Sequence, residues 1–274
     1  VLIGLLHAFG ILYLPKITLV LVFLVMAAVL VLKPYGLLGR APGKVHADAL
    51  HLEPPRSLWR EAPRCWLIAG SVIIAVLPLL AGDYARGLAA EVLILALYAA
   101  SLQLIMGAGG MTSFGHAAYF GLGAYGAALL VKHAGVGMWG GLLAAPVLAG
   151  LGALLFGWFC VRLSGVYLAM LSLAAAQIVW SIAFQWVTVT GGDNGILNVW
   201  PAAPVRPAWA YYLLTLTIAG CGIYAVRRIT SAPFGYALRA VRDSVVRARA
   251  IGLVYQRLIF GHAPEALAIG FGFE

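Results

Sequence analysis

The run in this chain most suggestive of chemistry is Gly121-Leu122-Gly123-Ala124-Tyr125-Gly126. It fits the GxGxxG spacing of a dinucleotide-binding turn, whose glycines allow a tight turn and close approach of the backbone to a pyrophosphate. The context excludes that chemistry. No strand precedes the run, lipid-compatible residues surround it, and the next acid, Asp193, lies far beyond the position of a ribose contact. The sole Gly-Lys pair, Gly43-Lys44, is followed by Val45, so there is no GxxxxGK[ST] phosphate cradle and the chain does not itself hydrolyse ATP.

His116, within Ser113-Phe114-Gly115-His116, has the chemistry of a proton carrier or a ligand, but no acid lies near it in sequence and no second His is spaced for a metal. The plainer reading is a hydrogen-bonded histidine at a helix end. Cys65, Cys160 and Cys221 are widely spaced and odd in number, which supports neither a disulfide framework nor a zinc site. Glu91 is the one carboxylate inside a candidate span, close enough to its outer end to reach water. Proton-coupled carriers bring acids or histidines deeper than this, which counts against one here.

The elements that must position these residues are set by composition. Of 274 residues, 63% are hydrophobic and 10% charged, where a soluble domain runs at about 45–50% and 25%. Such a chain needs lipid to cover its apolar surface. Crossing the hydrocarbon core takes about 20 apolar residues, and seven windows qualify or nearly do: 11–32, 66–81, 88–106, 117–131, 139–161, 166–187 and 208–226. The expected fold is an all-α polytopic transmembrane bundle of about seven spans. Its N-terminal stretch lacks the basic region and cleavage site of a signal peptide, and the chain does not begin with Met, so it reads as a fragment.

A net charge of +9 invites a nucleic-acid reading in a soluble protein. Here its distribution along the chain gives another explanation. With the polar loop 33–65 placed inside, strict alternation puts 107–116, Arg162 and 227–258 on the same side, together with fourteen of the eighteen cations. The positive-inside rule then makes that side cytoplasmic and leaves Lys16, Arg86, Lys132 and Arg206 near the outer surface.

Two windows are short, and 117–131 follows a glycine-dense stretch. Short, Gly-interrupted segments mark discontinuous helices that line a pathway; they equally mark close packing through small residues. Gly141, Ala145, Ala149, Ala153 and Gly157 recur at every fourth position and read as a packing face. Over 233–253, Phe234, Ala237, Leu238, Val241, Val245 and Ala248 recur at helical spacing among Arg239, Arg242, Arg247 and Arg249, which predicts a basic amphipathic helix. Periodicity leaves two roles open for it: lying on anionic headgroups, or docking a soluble partner.

Four segments carry a family resemblance. The run from Ser113 to Tyr125 resembles the SLGHAAFFGIGAY signature of the LivM-type permeases of branched-chain amino acid ABC transporters. Arg162 to Ala169 is similar to that family's LRGLYLA segment, Thr190 to Gly195 to its TGGSDG loop, and Pro233 to Asp243 to its FGRALRAIRE stretch. The resemblance covers roughly 66–258. Upstream, Val31 to Arg40 resembles the end of the partner LivH-type permease, so 1–40 reads as that permease's last span and tail, 41–65 as a cytoplasmic linker, and 259–274 as an atypical tail after an apparent truncation.

The resemblance implies an ABC importer permease for branched-chain, hydrophobic amino acids in the cytoplasmic (inner) membrane of a bacterium. It has no cofactor of its own, since ATP is used by cytoplasmic ATP-binding subunits. Further implied partners are a LivH-like second permease half, an extracytoplasmic amino-acid-binding protein and the lipid bilayer, with no nucleic acid. Ser113, Gly115, His116, Tyr119, Gly121, Gly123 and Tyr125 become pathway-lining candidates. Gly235, Leu238, Arg239, Arg242 and Gly252 become ATPase-coupling candidates, and Gly191, Gly192, Asp193 and Asn194 candidates for facing the binding protein. The chain departs from the family pattern at Met111, where Gln is usual, and at Arg247 and Arg249, which replace small and acidic residues. Alternatives are a urea or amide ABC permease, an ion-coupled carrier or channel, and a non-transporting assembly subunit.

Overall fold

The structure is a computed structural model that describes residues 18–32, 82–160 and 166–250, together with Leu12, Gly70, Ile74 and Val76. The described residues are helical or irregular, with no strand among them. The long helices are α1 (Thr18–Leu32), α2 (Asp83–Gln103), α3 (His116–His133), α4 (Met138–Cys160), α5 (Val166–Gln185) and α7 (Ala208–Ser231). A four-residue helix α6 (Val187–Thr190) follows α5, and α8 (Pro233–Asp243) and α9 (Val245–Ala250) follow α7.

Among the described residues, four segments are long and apolar enough to cross a membrane: Asp83–Ala108, Met138–Trp158, Val166–Gln185 and Ala208–Ser231. They fall on four of the seven expected windows, and α3 and α1 fall on two more. The window 66–81 lies largely outside the described residues, as do the linker 41–65, the tail 259–274 and Gly252. Of residues 1–40, those described, Leu12 and 18–32, are helical.

The helix α2 begins five residues before the expected 88. Asp83 opens it after an extended Gly82 and pairs with Arg86 at 2.7 Å, so the polar first turn extends the helix beyond the apolar stretch that hydropathy measures. Likewise α7 continues to Ser231 through Arg227 and Arg228.

Packing is by pairs. α3 and α4 form a hairpin closed by 134–137 and make the most extensive contact, followed by α2 with α7 and α1 with α5. In lipid, apolar side chains gain little by leaving their surroundings for one another, so close fit carries the association. On α4, Ala145 and Ala149 lie against Gly123 of α3, and Gly141 against Ala127 and Val131. The small-residue stripe is therefore a packing face in this part, while Gly157 has nothing within 4 Å of where a Cβ would stand. Between α2 and α7, Leu97 fills the space over Gly222, and Ala90, Leu93, Tyr212 and Ala219 form the buried cluster. Leu30 of α1 packs with Leu168 and Leu171 of α5, and Met111 joins them from the loop before α3.

The contacts also fix sidedness. α8 touches both the end of α7 and the segment that closes α2, and the residues before α3 touch the first half of α5. At the opposite end the Ala202 amide reaches Met138 Sδ at 3.2 Å. Arg227, Arg228, Arg239, Arg242 and Arg247 gather at the α8 end, and Arg86, Lys132 and Arg206 at the other, as alternation of the spans requires.

Candidate functional site

The expected interruption lies in the first part of the glycine-dense stretch, among Gly107, Gly109, Gly110 and Gly115, and not in the span that follows. α3 is continuous from His116 to His133, and its Gly121, Gly123 and Gly126 sit in regular helix. For Gly123 and Gly126 the packing reading holds, since Ala145, Ala149 and Leu148 of α4 close over them. The irregular backbone is the segment before α3. The last turn of α2 widens into a π turn, Leu104–Ala108, in which the Gly109 amide bonds Leu104 O at 3.1 Å and the Met111 amide bonds Ile105 O at 3.3 Å. Residues 109–115 then run without regular helix to His116. A wide turn of this kind breaks the i→i+4 ladder and is frequent where a helix must carry function.

Three attachments hold the break. At its end Phe114 N–H donates to Ser172 Oγ at 3.0 Å, while the Ser172 hydroxyl donates to Ala169 O at 2.9 Å. Gly115 is buried directly against the Ser172 carbonyl, so that an added Cβ would overlap it. At the start of the break, Arg242 of α8 donates from Nη1 to Gly107 O at 2.6 Å, and its stem lies over Gly110. Beyond the break, His116 Nε2 lies 2.7 Å from Ser101 Oγ on α2, and the Ser101 hydroxyl donates to Tyr98 O at 2.7 Å. With the serine proton used there, the imidazole proton sits on Nε2, leaving Nδ1 a buried acceptor without a hydrogen-bond partner. Tyr98 and Tyr119 flank the ring, and Phe120 meets Tyr98 edge-on. The histidine is the hydrogen-bonded helix-end residue of the plainer reading.

Sequence reasoning missed α5 as the central element. Leu168, Ala169, Leu171, Ser172, Ala174, Ala175 and Ser181 are all buried, giving it the most enclosed surface of the four membrane-crossing segments. Ser181, 0% exposed, and the Gln185 amide one turn later have buried polar atoms with no hydrogen-bond partner among the described residues. Their i, i+4 spacing in an apolar helix was the available signal. Ser172 and His116 stand at the break, whereas Ser181 and Gln185 lie about two and a half to four turns further along α5, so these polar groups are spread along the membrane-crossing segment. Of the pathway candidates, Ser113, His116, Tyr119, Gly121 and Tyr125 are partly exposed, whereas Gly115 and Gly123 are buried against α5 and α4.

The other two candidate sets fall at opposite ends. The loop carrying Gly191, Gly192, Asp193 and Asn194 folds back on the end of α5: Thr190 Oγ1 lies within hydrogen-bond reach of Ala183 O and Trp186 O, and accepts from Gly192 N–H at 3.3 Å. Asp193 and Asn194 remain exposed at its tip. Gly191 has φ +80° and would place a Cβ 2.9 Å from Gly195 C. Gly191→Ala is expected to cost about 1–2 kcal/mol from the left-handed backbone alone, read as a lower unfolding temperature in detergent, while Asn194→Ala, without that strain, stays near wild type.

At the α8 end the single amphipathic helix expected over 233–253 is two helices. Ser244, in extended conformation, ends α8, and its Oγ accepts Arg247 N–H at 3.3 Å to start α9. Phe234, placed on the apolar face by its spacing, is 40% exposed, and Gly235 takes the buried position, packed on Ile229 O. Gly235 and Leu238 therefore face the chain itself. Arg239 donates to Thr230 O at 3.2 Å and lies over the Tyr236 ring.

A family model described as "Branched-chain amino acid transport system / permease component" matches residues 84–261. The chain is similar to the high-affinity branched-chain amino acid transport system permease protein LivM of Escherichia coli (strain K12), with 24% identity over 222 residues, covering 71% of this chain and 52% of that protein. The LivM protein of Salmonella typhimurium (strain LT2) is similar to the same extent. The chain spans about half the length of these curated relatives. No solved structure matches it.

Proposed function

The chain belongs to the branched-chain amino acid transport system permease component family, and on that premise we propose that it is a transmembrane permease subunit of an ABC importer that moves branched-chain, hydrophobic amino acids across the cytoplasmic (inner) membrane. The observation that carries this reading is the family match over 84–261, which spans the break, the central helix α5 and α8 together. No bond is made or broken in the membrane. Energy comes from separate cytoplasmic ATP-binding subunits at the cation-rich end, where Arg239 and the exposed Phe234 and Tyr236 of α8 are available to them. A second, LivH-like permease half completes the pathway, and an extracytoplasmic amino-acid-binding protein meets the loop with Gly191, Gly192, Asp193 and Asn194.

At the break the titratable His116 is hydrogen-bonded to Ser101 and the Arg242 guanidinium to Gly107 O, which supports this reading over an ion-coupled carrier. Proton coupling calls for a titrating group deep in the membrane that is free to exchange its proton. Of the two acids of α2, Asp83 lies in its first turn and Glu91 is exposed on the helix surface.

The test is uptake of labelled leucine by proteoliposomes holding the assembled transporter and binding protein. Uptake is expected to require ATP, to disappear when the ATP-binding subunits are omitted, and to survive an uncoupler at constant ATP. Uptake that collapses with the uncoupler overturns the reading in favour of an ion-coupled carrier. Transport of urea or short amides in place of leucine moves the substrate class and leaves the ATP-driven mechanism standing.

A further inference from the structure

We infer that Arg242 is a positioning residue that couples the membrane break to α8, acting inward on the break and not outward on a soluble partner. The inference rests on the transport reading above and assigns to one side chain the link between the cation-rich end and the interior.

Four observations carry it. First, the Arg242 guanidinium divides its donors: Nε and Nη2 lie 2.9 and 2.8 Å from Asp243 Oδ1, which turns Nη1 toward Gly107 O at 2.6 Å. A planar fork can hold both partners at once in a way that an ammonium cannot. Second, the acceptor lies within the π turn that closes α2, where the backbone ladder is already irregular. Third, Gly110 has φ +65°, and a Cβ there would stand 2.8 Å from Arg242 Cδ, so the arginine stem occupies space that no side chain at 110 could share. Fourth, the other end of the same segment is attached to α5 through Phe114 and Gly115.

The chain of contacts therefore runs from α8 through Arg242 to the break, and from the break to α5 and His116. α8 is otherwise held by the buried face Gly235, Ala237, Leu238 and Val241 and by the Arg239 bond to Thr230 O at the end of α7. Arg242 makes the directional contact between α8 and the break. A displacement of α8 must either carry residues 107–110 with it or break a charge-assisted hydrogen bond.

The experiment uses the assembled transporter in proteoliposomes, with leucine uptake and ATP hydrolysis measured side by side. Arg242→Gln is expected to keep ATP hydrolysis within about twofold while uptake per ATP hydrolysed falls at least tenfold. Arg242→Lys, which reaches one acceptor but not both, should recover part of that ratio. Arg228→Gln, an exposed cation at the same end, controls for lost charge and should leave the ratio unchanged. In parallel, hydrogen exchange of the 107–115 amides in Arg242→Gln should quicken severalfold with α4 unaffected. An unchanged uptake-to-hydrolysis ratio, or uptake and hydrolysis falling in proportion, overturns the inference. If the wild-type assembly shows no ATP-driven uptake, the transport reading fails by itself, and unchanged exchange at 107–115 then overturns the Arg242 link independently.

Discussion

Replacing Gly115 with alanine should separate the break from α5 and sharply reduce the amount of folded protein. The new methyl would overlap the Ser172 carbonyl oxygen and stand 2.9 Å from its carbon. Both belong to backbone in the most enclosed helix of the fold, so neither a rotamer change nor a small side-chain shift relieves the contact. Overpacking of this kind costs about 1–3 kcal/mol when surroundings can yield, and a helix backbone yields less readily than a side chain. The displaced segment also carries Phe114 N–H away from Ser172 Oγ, leaving a buried donor without its acceptor. Gly121→Ala is the matched control. It lies in the same signature, has nothing within 4 Å of its added Cβ, and sits in regular helix, where alanine is favoured over glycine by about 1 kcal/mol. Fluorescence-detected gel filtration and thermal unfolding in detergent should show Gly115→Ala poorly folded and Gly121→Ala at or above wild type. Equal behaviour of the two would remove the packing argument.

Tyr212→Ala is expected to lower the unfolding temperature nearly as much, by a different mechanism. Tyr212 is 0% exposed at the α2–α7 interface, packed with Ala90, Leu93 and Ala219, and its hydroxyl donates to the Ile74 carbonyl. The ring thus fills the seam between two helices while the hydroxyl ties α7 to Ile74. Truncation removes the contacts of a large aromatic and leaves a cavity that small neighbours cannot close, at about 3–5 kcal/mol. On the roughly 2–4 °C per kcal/mol typical of chains this size, the shift is about 6–20 °C. Tyr212→Phe separates the two contributions. It keeps the ring, loses the one hydrogen bond, and should cost only about 0.6–1.5 kcal/mol, the range for bonds between membrane helices and in proteins generally. If the phenylalanine variant falls as far as the alanine variant, the hydroxyl and not the packing holds the seam.

The particular residues show how far a linear reading reaches. The windows 139–161 and 166–187 match α4 and α5 within two residues because a span is a local property: twenty apolar side chains in succession declare it without reference to partners. The starts of α2 and the end of α7 were displaced where polar residues such as Asp83, Arg86, Arg227 and Arg228 continue a helix into water, which hydropathy does not register. The glycine-dense stretch was recognised as unusual, but glycine composition does not distinguish a break from a close approach. Gly123 and Gly126 proved to be close approaches, and the break fell at 104–115, among the earlier glycines of the same stretch. Ser172, Ser181 and Gln185 escaped notice because a hydroxyl or amide in an apolar run, even at the i, i+4 spacing of Ser181 and Gln185, does not say whether lipid or protein encloses it.

Composition, hydropathy and the distribution of cations thus determined that this chain is a helical membrane protein, which end carries its positive charge, and, with four ordered motifs, its family. These are sums over neighbouring residues, and each can be taken without folding the chain. The tertiary structure alone decided that Gly115 is a contact with α5, that Gly235 and Leu238 turn inward, and that Arg242 reaches Gly107 across 135 positions of sequence. Such pairings depend on helix rotation and depth in the bundle. A shift of one residue turns a side chain by about 100° around the helix axis, so the same arginine would face water or the break according to packing that no local window contains.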